Sequence, residues 1–497
     1  MRMKSLSVFI LPAVLIGSYA AAQEPSTSYW TGNTEEGSNG WGLSSVADNW
    51  SGGTVPDANT NILFDNDYLA GDKASSIHTT NGFTCNDYTI TSNYSGQQIR
   101  MDGTMTINGN FTTQQKSTIT FLSNGANDSA AVLNIAQNVI VGVKGDSSGS
   151  TSYDLRIGEA VSNQWGGWGG PKNVTIGGDV ILYELGRLNF NVNLKGRTAD
   201  YSNPDIDVKG LIRFEGNGSI NPSMNIINAS SKYTNNSTKE TFSSEPVEVV
   251  LACNGISGNG VISNNSNGSI DNGPSKAILL LRNDSSQFFS GWIQDGQNCT
   301  TKIVMNGTGA QYLTSANRDP EKPTQGICFT GGLEIISGTL SMRYDHPINH
   351  GDLEMRGGTL QNDTASTAWN VNFTNLIYDG GTITSRWDGS NLDVITLTGA
   401  LQKGENFADS DKFLIKISGT DVSSLTDELI IAWDNLTFKT DFTEDDFEAT
   451  YFEGYEAIFN IKDDGLYLSY IAVPEPAAFA AIFGALSLAF CIRLRRK

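Results

Sequence analysis

Few side chains in this 497-residue chain are spaced for chemistry. His346 and His350 sit four residues apart in His346-Pro347-Ile348-Asn349-His350, and His78 is the only other histidine. On a helix the pair would share a face and could hold zinc. Pro347 lacks the N–H of a helix interior and Gly351 follows at once, so the segment is expected to be a solvated loop. Asp441, Glu444, Asp445, Asp446 and Glu448 bring together enough carboxylate oxygens for calcium. They lack the ordered ligand spacing and turn glycine of an EF-hand loop, so a solvated acidic loop is expected. Neither a His-Glu-x-x-His zinc motif nor a phosphate loop occurs, and no cofactor or metal is expected.

Cys85, Cys253, Cys299 and Cys328 precede a C-terminal apolar run that contains Cys491. Four thiols allow two disulfides in any of three connectivities. They serve equally well as small buried residues, and both readings stand. In Trp165-Gly166-Gly167-Trp168-Gly169-Gly170 the glycines leave both indoles unshielded. Trp165 and Trp168 are therefore candidate contacts to the apolar face of a sugar ring.

The elements that would carry these residues are strands. The net charge of -21, from 32 Lys+Arg against 53 Asp+Glu, argues against nucleic-acid binding. Apolar residues at 38% are too few for a multispanning membrane protein, and charged residues at 17% too few for a coiled coil. Short β-branched runs at 173–176, 333–336 and 394–397 are broken by Gly, Asn, Asp and Ser about every 8–12 residues, the mark of strands and turns.

Repeats narrow this to a solenoid. Gly331-Gly332-Leu333-Glu334-Ile335-Ile336-Ser337-Gly338-Thr339-Leu340 returns twenty positions on as Gly351-Asp352-Leu353-Glu354-Met355-Arg356-Gly357-Gly358-Thr359-Leu360. A weaker copy, Leu376 to Ile383, follows at an offset of 23. A second pattern, apolar-x-Gly-x-apolar, occurs at Ile107–Phe111, Ile176–Val180 and Leu397–Leu401. Repeats of this length match one coil of a parallel β-helix, in which each coil covers the apolar side chains of its neighbour. About 300 residues coiled in this way would make roughly 14 rungs and a rod of about 65 Å. The repeat resembles the passenger-associated β-strand repeats of autotransporter-type surface proteins, most closely over 331–360. Trp30, Trp41 and Trp50 crowd the start of the mature chain, and Asp48 to Asp57 resembles the amino-terminal module of exported β-helix proteins. These indoles are expected to plug an open helix end.

Both ends read as addresses. Arg2 and Lys4, an apolar run from Leu6 to Ile16 and Ala20-Ala21-Ala22 form the three parts of a secretory signal. Toward the other end, Pro474-Glu475-Pro476 leads into apolar or small residues 477–492, then Arg493, Arg495, Arg496 and Lys497. Sixteen helical residues reach ~24 Å, just short of a bilayer's hydrocarbon core, with the cations as a cytoplasmic stop. The two cations of residues 1–22 and the net three positive charges from Glu475 onward leave 23–474 at -26. This tail resembles the PEP-CTERM sorting signal of exported bacterial proteins. The resemblance implies a diderm bacterium that makes exopolysaccharide and an exosortase-type membrane protease acting at Pro474, Glu475 and Pro476.

The expected organisation is a signal peptide (1–22), a Trp-rich cap (23–80), β-helix repeats (81–400), an antiparallel β cap (401–472) and a sorting signal with a transmembrane helix (473–497). The expected function is that of an exported, non-catalytic surface or matrix protein associated with extracellular polysaccharide. A β-helix polysaccharide lyase or glycoside hydrolase and a glycan-binding module are the alternatives.

Overall fold

The computed structural model describes residues 24–473 and 484–487, apart from 34–40, 70–75, 80–81, 96–97, 124–130, 150, 159–169, 191–198, 217–220, 227, 231, 235–240, 244–247, 268–273, 297, 316–325, 344–345, 363–368, 420 and 434–439. The chain is mostly β, with long parallel sheets that coil into a β-solenoid. Among the described residues twenty-three strands join in one sheet, ten form a second, and six form a third that begins at His346–Asn349. Each coil lays its strands in register on the coil before: Thr84 on Thr106, Thr106 on Asn134, Asn134 on Thr175, Thr175 on Asp207. One coil takes 22 residues from Thr84 to Thr106, 41 from Asn134 to Thr175 and 45 from Asp207 to Ala252. From Glu334 to Glu354 and on to Ile377 it takes 20 and 23. The sequence repeat is visible where no loop is inserted.

Two devices hold the corners. The three Gly-Thr steps of the repeats stack, and Gly338, Gly358 and Gly381 have φ of 76°, 61° and 96°. A Cβ on Gly358 would stand 2.5 Å from Gly338 O, and one on Gly381 2.5 Å from Gly357 O. Left-handed backbone and contact with the next coil both require glycine here. The other device is an amide ladder along the apolar-x-Gly-x-apolar corner. Asn61 Oδ1 accepts from Asp87 N (3.2 Å), and Asp87 Oδ1 from Asn110 N (2.8 Å). Asn110 Oδ1 accepts from Asn138 N (3.2 Å), Asn138 Oδ1 from Asp179 N (2.8 Å), and Asp179 Oδ1 from Leu211 N (2.8 Å). The ladder resumes from Asp352 to Asn375 and Ala400. Apart from the Asp352 step, where Asn375 Nδ2 is the donor, each step satisfies a corner backbone N–H, and each contributes about 0.5–1.5 kcal/mol.

One core runs inside the coils from Trp30 to Tyr470. Parallel pairing already begins at Ser26–Tyr29 on Thr60–Phe64, inside the segment expected to be a cap. Trp30 and Trp50 are buried at the head of the core, edge to face at 4.9 Å, and Phe64 packs against both. At the other end Phe413–Ser418 still receives Phe447–Ala449 in parallel, so coiling passes position 400. The hairpin of Tyr455–Lys462 and Gly465–Ala472 then adds antiparallel to Glu428–Trp433. Of the apolar run 477–492 only the helical residues 484–487 are described, and no helix among the described residues is long and apolar enough to cross a membrane.

Gly358→Ala should lower the guanidinium midpoint by the equivalent of at least about 2 kcal/mol, because positive φ and a blocked corner add. Gly389 has φ 96° with nothing within 4 Å of its Cβ position, so Gly389→Ala should cost only about 1 kcal/mol.

Candidate functional site

Several expected sites lie outside the described residues: Trp165, Trp168, Pro474, Glu475, Pro476, Arg493, Arg495, Arg496 and Lys497. The histidine segment departs from its expected solvated loop. His346–Asn349 is a strand, and His350 is wholly buried between Phe329 and Phe373, with ring centroids at 4.4 and 5.8 Å. Its Nδ1 lies 2.9 Å from Phe329 O. Pro347 ends a helix but not a strand at a sheet edge, which sequence spacing alone does not distinguish. Burial, opposed in part by the Phe329 carbonyl, lowers the imidazole pKa to about 4.

The acidic segment is solvent-exposed at Asp441, Glu444, Asp445 and Glu448, and three of its carboxylates are engaged by neighbours. Asp446 closes a capping box with Thr443 and pairs with Lys403 at 3.1 Å. Asp441 Oδ1 accepts from Lys403 N, and Glu444 Oε1 from Ile461 N. Burial would raise the Asp446 carboxyl, but the Thr443 donors and Lys403 outweigh it and hold it below its ordinary value. Cys85, Cys253, Cys299 and Cys328 are all buried free thiols. Burial pushes the last three up to about 12, so they are protonated and unreactive at neutral pH.

A carboxylate pair that sequence reasoning did not single out lies on two successive coils. Glu334 and Glu354 are register partners on the outer face of the large sheet. Lys302 Nζ bridges them at 2.8 and 3.0 Å, and Arg356 bridges them again at 2.8 Å to each. The Tyr201 hydroxyl donates to Glu334 at 2.9 Å. Burial would raise the Glu354 carboxyl, yet Lys302 and Arg356 keep it lowered. Two carboxylates shared by two cations form an ion-pair network. A glycosidase acid instead needs a carboxyl held protonated near neutral pH.

Tyr201 arrives here on a strap. Residues 199–205 cross the outer face over Val250, Ala252, Ile278, Leu280 and Val304, which form a second apolar cluster with Ala199, Tyr201 and Ile336. Glu248 accepts from Ala199 N, and Asp205 from Val250 N. The only signal for it in the sequence is the unbroken apolar runs at 249–253 and 277–281, which mark strands buried on both faces.

Among the described residues three carboxyls are raised, with burial the first cause in each: Asp393 to about 6, Asp295, and Glu428, where the neighbouring Asp427 adds to it. Asp393 accepts from Asn362 Nδ2, Trp369 N and Arg386 N, so both of its oxygens staple strand ends. Asp295 does the same for Thr301 N and Thr330. One Gly-x-Ser-x-Gly spacing, Gly145-Asp146-Ser147-Ser148-Gly149, also escapes the sequence reading. It follows Val139–Val141 but leads into the strand Tyr153–Ile157, whereas a nucleophile elbow needs a strand-to-helix turn. No protein-family model matches the chain, and no curated protein matches it.

His350 sets a pH dependence. Between its ordinary value of 6.5 and about 4 the unfolded chain takes up a proton that the folded one refuses. Stability is therefore lost as pH falls through that window and levels off below it. Denaturation of wild type and His350→Gln at pH 7 and pH 4 should show the wild type losing on the order of 3 kcal/mol more than the variant.

Proposed function

We propose that this chain is an exported, non-catalytic protein of the cell surface or extracellular matrix, associated with exopolysaccharide. The observation that carries the reading is the unbroken solenoid core from Trp30 to Tyr470. It makes an extended scaffold whose outward residues recur at the strand spacing, as a lengthwise contact with a polymer requires. On this reading residues 1–22 direct export. Buried Trp30 and Trp50 close one end of the core, and the antiparallel hairpin of 455–472 closes the other. Pro474, Glu475 and Pro476 present the chain to an exosortase-type membrane protease, while residues 477–492 hold it in the membrane and Arg493, Arg495, Arg496 and Lys497 stop it there. Trp165 and Trp168 contact polysaccharide. Neutralisation of Glu334 and Glu354 by Lys302 and Arg356 favours this role over a glycosidase on the same scaffold.

Intact-mass analysis of the native product after cell fractionation tests the sorting. An extracellular species lacking residues from about Pro474 onward is expected, and a full-length membrane-bound chain refutes it. Replacing Trp165 and Trp168 together with Ala should reduce retention on the host's polysaccharide severalfold. Unchanged retention removes these indoles from the reading.

A further inference from the structure

One outward column of the solenoid runs Ile181, Arg213, Ser257, Phe288, Tyr312, Ser341, coil upon coil. The pairings are Ile181 on Arg213, Arg213 on Ser257, Phe288 on Tyr312 and Tyr312 on Ser341, and Gly258 on Phe289 sets Ser257 beside Phe288. Phe288 is 55% exposed, which is unusual for a phenylalanine on a strand. Its ring lies flat against Tyr312, with centroids 4.5 Å apart and planes 8° apart. Tyr312 thus covers one face of Phe288 and holds the ring upright, and the other face looks along the column over Ser257.

Beyond Ser257 stands Arg213, tied to Glu215 and, at 3.5 Å, to Asp179. Two strand spacings of ~4.8 Å separate Phe288 from Arg213, and subtracting one van der Waals thickness leaves a slot of ~6 Å floored by a single serine. Gly258, next to Ser257 in the chain, is exposed and adds no side chain to the floor. Such a slot admits one saturated six-membered ring on edge. It has an apolar wall for the ring's C–H face and polar groups, Ser257, Arg213 and Glu215, on the other sides. Asp179 and Glu215 outnumber Arg213, and the chain as a whole carries -21, so a uronate would be repelled and a neutral sugar would not.

The geometry points to a pyranose-binding slot between Phe288 and Arg213, selective for neutral hexose units of a polysaccharide. The inference rests on the polysaccharide association proposed above and names where on the solenoid it occurs.

The full chain is passed over immobilised glucan, galactan and mannan, with alginate as the anionic comparator. Retention on at least one neutral polymer is expected. Phe288→Ala should weaken it at least tenfold, Tyr312→Ala should weaken it less, and Phe288→Trp should keep it. Phe288 is exposed, so the circular dichroism and melting of Phe288→Ala should match wild type, which separates lost binding from lost fold. Undiminished retention by Phe288→Ala overturns the slot and leaves the polysaccharide association standing. Retention by none of the four polymers overturns both, and preference for alginate overturns the neutral-sugar assignment.

Discussion

Each coil of this chain must land in register on the coil before it, because its apolar side chains have no other cover. A slip of one residue would turn Leu353 outward and Glu354 into the core, and the same exchange would repeat along the strand. The corners enforce the register. Gly338, Gly358 and Gly381 leave no room for a Cβ against the preceding carbonyl, so only a coil whose glycine arrives at that place can dock. The amide ladder from Asn61 to Leu211 adds a directional hydrogen bond at each step, donated by a corner N–H to the side-chain oxygen of the corner before. Burial favours stacking in general, and these two devices select one stacking.

With the interior so constrained, the outer faces are free to differ coil by coil. On the ten-stranded sheet Thr118, Asp154, Asn189, Asn225 and Ser263 hydrogen-bond to one another across successive coils, a polar surface that satisfies itself. On the large sheet the outward residues turn apolar at Ala252, Leu280 and Val304, and the strap of 199–205 covers them. Where the column returns to charge, Glu334 and Glu354 are matched by Lys302 and Arg356. Phe288 is a large apolar side chain left exposed beside a serine floor.

Sequence reading reached the solenoid through two short coils that follow one another directly. Glu334, Glu354 and Ile377 are 20 and 23 residues apart, close enough for Gly-Gly-x-x-x-x-x-Gly-Thr-Leu to show as a repeat. The 45 residues between Asp207 and Ala252 carry the same structural step without a visible period, because inserted loops break the spacing and leave the register intact. The corner ladder was half legible. Its glycines form the apolar-x-Gly-x-apolar pattern, but the Asn or Asp beside them looked like ordinary turn residues.

Sequence alone determined the alternation of strand and corner and the direction of stacking, since a corner without room for a Cβ accepts glycine and an apolar residue two places on must face inward. Tertiary structure decided which polar residues enter the core and which outward positions are buried. His350 lies inside the core between Phe329 and Phe373, while on the outer face Val250, Ile278 and Val304 lie under a strap that begins some fifty residues before Val250 in the chain. Burial on an outer face depends on which distant segment crosses it, and local spacing carries no record of that crossing.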